Sequence, residues 1–294
     1  MKDKFEGIIC PMISPFTADG KVYADGVRNL VEFLQKNGVH GLFVCGTYGL
    51  GPAMSIEERK RIAELSVENA SGKMDVIVHV GSSNIDTSFE LAKHAEDIGA
   101  DAIASTPPFY YKHSEEAVYS FFKSLIERVD IPVFVYNIPS RVGYGITPSL
   151  LSRIADEGAH GIKDTSGDII LFYQFMMSVR KKGFKFLVGT ERLLLPSMIA
   201  GGHGCVAGLS NTFPEIIVEL YRMLRDGRYK EAVERQFFVI ELRDIMYSVP
   251  NIPATYAVLK LRGVDVGYPK PPYRPLSSEE LEKLKRKLSE KNLL

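Results

Sequence analysis

The feature that most constrains this chain is a regular alternation of short apolar runs, rich in β-branched residues, with longer stretches of helical periodicity. The strand-like runs are Gly7–Met12, Gly41–Cys45, Asp75–Val80, Ala102–Ser105, Pro132–Tyr136, Gly161–Lys163, Lys185–Val188 and Gly204–Ala207. The helix-like stretches that follow them are Asp25–Asn37, Ser55–Asn69, Asp86–Ile98, Ser114–Val129, Pro148–Glu157, Ile169–Lys181, Glu191–Ala200 and Pro214–Arg225. Strand-then-helix units repeating roughly every thirty residues predict an α/β fold, a (β/α)8 TIM barrel. An open doubly wound sheet shares the alternation, but the number of units favours closure. No Gly-x-Gly-x-x-Gly follows the first strand, so a dinucleotide-binding turn is not expected there.

Local signals agree with these boundaries. Ser55 and Glu58 have the spacing of a capping box. Thr147-Pro148 reads as an N-cap followed by proline at the first helical position. Ile56, Ile62, Ala63, Leu65 and Ser66 form a stripe, with Glu57, Arg59, Lys60 and Glu64 expected to face water. After Arg225 the alternation stops, which predicts a barrel domain over 1–225 and a C-terminal helical extension over 226–294. Helices are expected at Tyr229–Ser248, Pro253–Leu261 and Ser277–Asn292. The proline-rich tract Gly267–Pro275 between the last two is expected to be a stiff connector laid over the barrel.

Composition narrows the function. The 36 basic residues balance the 36 acidic ones, which argues against nucleic acid or an anionic membrane as a partner. The 45% hydrophobic content excludes global disorder. Cys10, Cys45 and Cys205 are distant in sequence and read as buried thiols. The N-terminal segment lacks an apolar signal region, and no run reaches the roughly 18 apolar residues of a membrane span. A cytoplasmic protein is therefore expected.

In barrel enzymes the chemistry sits at the C-terminal strand ends. Lys163 ends an apolar run there. Burial would lower its pKa and leave a neutral amine, which is what a Schiff-base nucleophile needs. It could equally snorkel to the barrel mouth or pair with Asp164. Tyr136 ends the preceding strand and could shuttle a proton, or be a core tyrosine. Thr47 lies in a Gly-Thr-Tyr-Gly turn whose amides could hold a carboxylate. The histidines show neither His-x-His nor His-Glu-x-x-His spacing, so no metal site is expected. His79 alone is placed facing the interior. Gly-x-Ser-x-Gly is absent as well.

Taken together, Gly46-Thr47-x-Gly49, Tyr136-Asn137-x-Pro139 and Gly161-Ile162-Lys163-Asp164 resemble the dihydrodipicolinate synthase/N-acetylneuraminate lyase family across nearly the whole chain. That resemblance implies a pyruvate-dependent class I aldolase, with Lys163 as the Schiff-base lysine and Tyr136 as the catalytic tyrosine. It implies that Thr47 relays a proton, while the amides of Gly46 to Tyr48 take the pyruvate carboxylate. Tyr110 matches a relay tyrosine that synthase members draw from a neighbouring subunit. Gly189, Glu191, Ser210 and Thr165 are expected to line the distal cleft. No metal or dissociable cofactor is implied, because the lysine itself supplies the electron sink. The partners implied are pyruvate and an aldehyde, and the assembly a homo-oligomer, tetramer or dimer.

Tyr48 and Leu50 depart from the Gly-Thr-Thr-Gly-Glu pattern of the synthases. The Gly-Leu-Gly-Pro continuation and Lys163-Asp164-Thr165 resemble archaeal 2-keto-3-deoxygluconate aldolases, which ranks cleavage of that sugar acid to pyruvate and glyceraldehyde first. Arg141, in Pro139-Ser140-Arg141, pulls toward a synthase that condenses pyruvate with aspartate semialdehyde, ranked second. Sialic acid lyase is third. A silent barrel used as a sensor or scaffold is disfavoured by the presence of Lys163 and Tyr136.

Overall fold

Parallel strands covered on both faces must be apolar on both faces, and the short runs fold accordingly. The computed structural model describes residues 4–294. Its strands are β1 (Gly7–Cys10), β2 (Gly41–Val44), β3 (Asp75–His79), β4 (Ala102–Ser105), β5 (Val133–Asn137), β6 (Gly161–Asp164), β7 (Lys185–Val188) and β8 (Gly204–Val206). They pair in sequence order, and β8 lies parallel to β1 with Gly204 opposite Gly7, so the sheet closes. The chain is thus a (β/α)8 TIM barrel, and the open doubly wound sheet is excluded.

The connecting helices are α1 (Ala24–Lys36), α2 (Ile56–Ala70), α3 (Ile85–Asp97), α4 (Glu115–Ile126), α5 (Pro139–Val142), α6 (Pro148–Asp156), α7 (Ile169–Ser178), α8 (Leu194–Ile199) and α9 (Pro214–Arg225). The Ser55–Glu58 capping box opens α2, and the Thr147 side chain caps α6. The chain continues through α10 (Tyr229–Met246), α11 (Asn251–Leu261) and α12 (Ser278–Ser289). Helix α10 packs on α8, α9 and the turn at 191–193. In the proline-rich tract, Tyr268 exchanges backbone hydrogen bonds with Phe16 at 2.8 and 3.1 Å, strapping it to the segment after β1.

Three local expectations need correction. Arg59 does not face water: it is 4% exposed, and its guanidinium donates to the carbonyls of His79 at 2.7 Å and Gly81 at 3.1 Å. It shares the inner face of α2 with Ile62, one turn on, so it reaches the end of β3 instead of solvent. The predicted helix over 191–200 opens as a 3₁₀ turn at Glu191–Leu193 and becomes α-helical only at Leu194. Helix α7 stops at Ser178 rather than Lys181, whose ammonium donates to the carbonyls of Gly158 and Ala159, at 2.8 Å each.

All three cysteines are buried free thiols. Among the described residues, no helix is long and apolar enough to cross a membrane. None of them form a group of three or more His, Cys, Asp or Glu able to hold a metal ion.

Candidate active site

Alternation along β5 and β6 decides which side chains enter the barrel. Phe134 and Tyr136 join the interior apolar cluster with Phe43 and Leu187, while Val135 and Ile162 pack outward against the helices. Register places Tyr136 beside Lys163 on neighbouring strands. The Lys163 ammonium nitrogen lies 3.8 Å from the Phe43 ring centroid and 3.9 Å from that of Tyr136. The residue is 3% exposed, and burial brings its pKa down to about 7. Asp164 points the other way. Its carboxylate accepts from the Asn137 amide and the Ser166 hydroxyl, both at 2.7 Å, so it does not neutralise the lysine. Of the two readings left open by position alone, the structure shows a buried lysine rather than a snorkelling or Asp164-paired one.

Burial also raises the Tyr136 phenol, with the Thr47 and Thr165 hydroxyls pulling against that shift. Thr47 Oγ1 lies 3.2 Å from the Tyr136 hydroxyl. Thr47 reaches this position because Cys45 turns the chain at the end of β2 with a φ of 57°, a left-handed conformation uncommon for a residue with a side chain. The turn that follows is closed by Gly51 N–H donating to the Gly46 carbonyl at 3.0 Å.

These groups open into a cleft of about 250 Å³ lined by Thr47, Tyr48, Tyr136, Arg141, Lys163, Thr165 and Gly189, among others. Gly189 is required for this shape, since a Cβ there would sit 1.9 Å from Thr165 Oγ1. Arg141 is carried to the rim by α5, the short helix that immediately follows β5.

Four expected residues are not among those lining the cleft, one of them Gly46, buried in the turn after β2. Glu191 is fully buried: its carboxylate accepts from Arg243 at 2.7 Å and from the Gly208 N–H at 3.0 Å. Ser210 is fully buried too, its hydroxyl donating to the Ala207 carbonyl at 2.6 Å. Tyr110 stands 84% exposed in the loop after β4, at a φ of 82°, outside the cleft.

Other lining residues lie beyond the strand ends, where barrel position gives no sequence cue. Arg243 and Tyr247 come from the end of α10, Asn251 and Ile252 from α11, and Tyr273 from the proline-rich tract. The Tyr48 hydroxyl lies 3.1 Å from that of Tyr247 and accepts from the Asn251 amide at 3.3 Å. One turn separates Arg243 from Tyr247 on a helix, a spacing that carried a weak hint. Arg243 itself lines the cleft, and its partner Glu191 lies buried behind it.

Comparison with known proteins identifies a family for the chain. The family model described as "Dihydrodipicolinate synthetase family" matches residues 4–291. A 4-hydroxy-tetrahydrodipicolinate synthase from Methanopyrus kandleri is 33% identical, over 99% of this chain and 98% of that protein. An uncharacterized DapA-like lyase from Pyrobaculum aerophilum is 31% identical over 99% of this chain and 100% of its own length. Among solved structures, the E. coli K12 prophage protein YagE in complex with pyruvate superposes with a TM-score of 0.95 at 30% identity, covering 99% of this chain and 100% of that one. Dihydrodipicolinate synthase from Aquifex aeolicus superposes with a TM-score of 0.92 at 28% identity, covering 98% and 99% of the two chains.

Proposed function

Since the chain belongs to the dihydrodipicolinate synthetase family, we propose that it condenses pyruvate with aspartate semialdehyde, Lys163 forming the Schiff base. The enzyme class is that of the family: a lyase, a class I aldolase that holds pyruvate on a lysine. In this reading neutral Lys163 attacks C2 of pyruvate, whose carboxylate is taken by the amides of Gly46 to Tyr48. Tyr136 gives a proton to the departing hydroxyl as the iminium forms. The iminium nitrogen withdraws electrons, a C3 proton leaves, and the enamine carbon attacks the acceptor aldehyde. The Tyr136 oxygen, deprotonated by the first transfer, receives the C3 proton and returns it to the new alkoxide, with Thr47 handing protons onward.

The observation that carries the choice of acceptor is the division of polar groups in the cleft. Arg141 stands at the rim of the cleft, suited to a carboxylate on the acceptor. Of Thr165, Glu191 and Ser210, on which recognition of a sugar acid's hydroxyls was to rest, only Thr165 lines the cleft, while Glu191 and Ser210 are spent on Arg243, Gly208 and Ala207. This reverses the order of the two readings made from sequence. Cleavage of 2-keto-3-deoxygluconate is the second reading, favoured by the Tyr48, Tyr247 and Asn251 cluster, which offers hydroxyls and an amide.

Measuring kcat/KM for pyruvate with each aldehyde separates them. Aspartate semialdehyde should exceed glyceraldehyde by tenfold or more, about 1.4 kcal/mol in the transition state. Arg141→Ala should penalise aspartate semialdehyde more than glyceraldehyde. A clear preference for glyceraldehyde would return the sugar-acid reading to first place.

A further inference from the structure

Side chains alternate along a strand, so the residue two beyond Lys163 faces the same way. That residue is Thr165. Its N–H donates to the Asn137 carbonyl at 2.8 Å, which carries the β5–β6 ladder one step past the paired Asn137 and Asp164. Thr165 therefore enters the cleft beside Lys163 and Tyr136, and all three line it. The next strand leaves room for its hydroxyl. Val188 pairs with Asp164, and Gly189, which follows it, donates its N–H to the Asp164 carbonyl at 2.6 Å and brings no side chain against Thr165 Oγ1. From the other end, the Asp164 carboxylate accepts from the Ser166 N–H at 3.2 Å, fixing the turn that carries Thr165.

All this placement fixes a hydroxyl that finds no hydrogen-bond partner among the described residues, although its oxygen is buried. A threonine hydroxyl can donate and accept, and leaving it unmet costs stability that valine would avoid. The group it acts on is the Tyr136 phenol. Burial pushes that phenol's pKa up, and the Thr47 and Thr165 hydroxyls draw it down. Tyr136 is 2% exposed, so its oxygen depends on such protein donors rather than on bulk water.

The reaction gives the unmet hydroxyl a use. As the carbinolamine loses water, the phenol O–H bond breaks, the proton joins the departing hydroxyl and the electron pair stays on the Tyr136 oxygen. Until the C3 proton restores it, that oxygen is a buried anion, which hydrogen bonds to its charged form must hold. We propose that Thr165 is a positioning residue of the aldolase: its hydroxyl, idle in the resting enzyme, donates to the Tyr136 phenolate alongside Thr47 and steadies it between the two proton transfers. The inference rests on the pyruvate-aldolase reading and concerns only the pyruvate half of the reaction.

Exchange of the C3 protons of pyruvate in deuterium oxide, with no acceptor present, reads those steps directly. Thr165→Val keeps the shape of the side chain and removes the hydroxyl, whereas Thr165→Ser keeps the hydroxyl and removes the methyl. Thr165→Val should slow exchange and turnover by about ten- to a hundredfold, with KM for pyruvate little changed. Thr165→Ser should keep most of the wild-type rate. Equal losses, or a larger loss in Thr165→Ser, would mark a packing role and overturn the proposal. Wild-type exchange in Thr165→Val would overturn it too, and a raised KM for the aldehyde alone would show that Thr165 touches the acceptor instead. If Thr165→Val fails to fold, Thr165→Ala set against Thr165→Ser carries the same comparison. Borohydride labelling of wild-type Lys163 separates the two failures. Wild-type enzyme with neither label nor exchange would overturn the aldolase reading itself, whereas label and exchange untouched by Thr165→Val would overturn this inference alone.

Discussion

At Lys163 an amine sits where its charge is least welcome, and that is both its reactivity and its cost. Its pKa of about 7 in the folded chain lies below the ordinary 10.5. Between those values the unfolded chain binds a proton that the folded chain does not, so folding stability rises with pH across that interval. The penalty is complete below pH 7 and gone above the unfolded value. Lys163→Met should therefore be more stable than wild type near neutral pH, by on the order of a few kcal/mol. Denaturant unfolding at several pH values should show the gap closing as pH climbs. The same titration should give kcat/KM for pyruvate a rising limb near pH 7. Borohydride with pyruvate should label Lys163 and no other lysine, and Lys163→Ala should abolish labelling. Tyr136→Phe keeps the ring but removes the proton-carrying hydroxyl, and turnover should fall about 10²–10⁴-fold with the fold unchanged. Near-normal turnover would assign the proton transfer to another group. The place of Lys163 at the end of an apolar run put it at the barrel mouth but left open whether it is buried, snorkels or pairs with Asp164. The structure decides this, because Asn137 on the neighbouring strand, together with the adjacent Ser166, claims the Asp164 carboxylate.

At the scale of elements, pattern reading succeeded where one face of a segment meets one environment. The capping box at Ser55 needed only local chemistry. It failed where a polar side chain is satisfied across the fold. Arg59 fits a solvent face by composition, yet its partners are carbonyls at the end of β3. Glu191 and Arg243 are 52 positions apart, and neither reveals the other in sequence. That ion pair joins the turn after β7 to α10, with Glu191 at 1% and Arg243 at 19% side-chain exposure. Arg243→Leu would strand a buried carboxylate and should destabilise the protein by about 3–5 kcal/mol. Glu191→Gln in the Arg243→Leu background should recover part of that loss. Urea unfolding of the single and double variants measures the coupling, and additive effects would show that the pair does not act as a unit.

For the whole molecule, the exposed Tyr110 and Tyr111, at 84% and 70%, stand away from their own chain's lysine. If a second copy receives Tyr110, as the family resemblance implies, then Lys163→Ala and Tyr110→Phe chains are each deficient alone. Mixed and reassembled, they should regain part of the activity, because some sites would draw an intact residue from each chain. A protein that sediments as a single active chain would refute this. The barrel's closure also bears on how the molecule is born. Strand β1 begins at Gly7 and finds its second neighbour only at Gly204. A ribosome adding about 5–20 residues per second exposes that strand for roughly 10–40 s before β8 is even made. Through that interval one side of β1 offers unpaired backbone groups to any other growing chain. Early exit from the tunnel is thus a hazard that shielding by a chaperone would relieve. The seam that leaves the finished protein without an edge leaves the nascent one open at both ends.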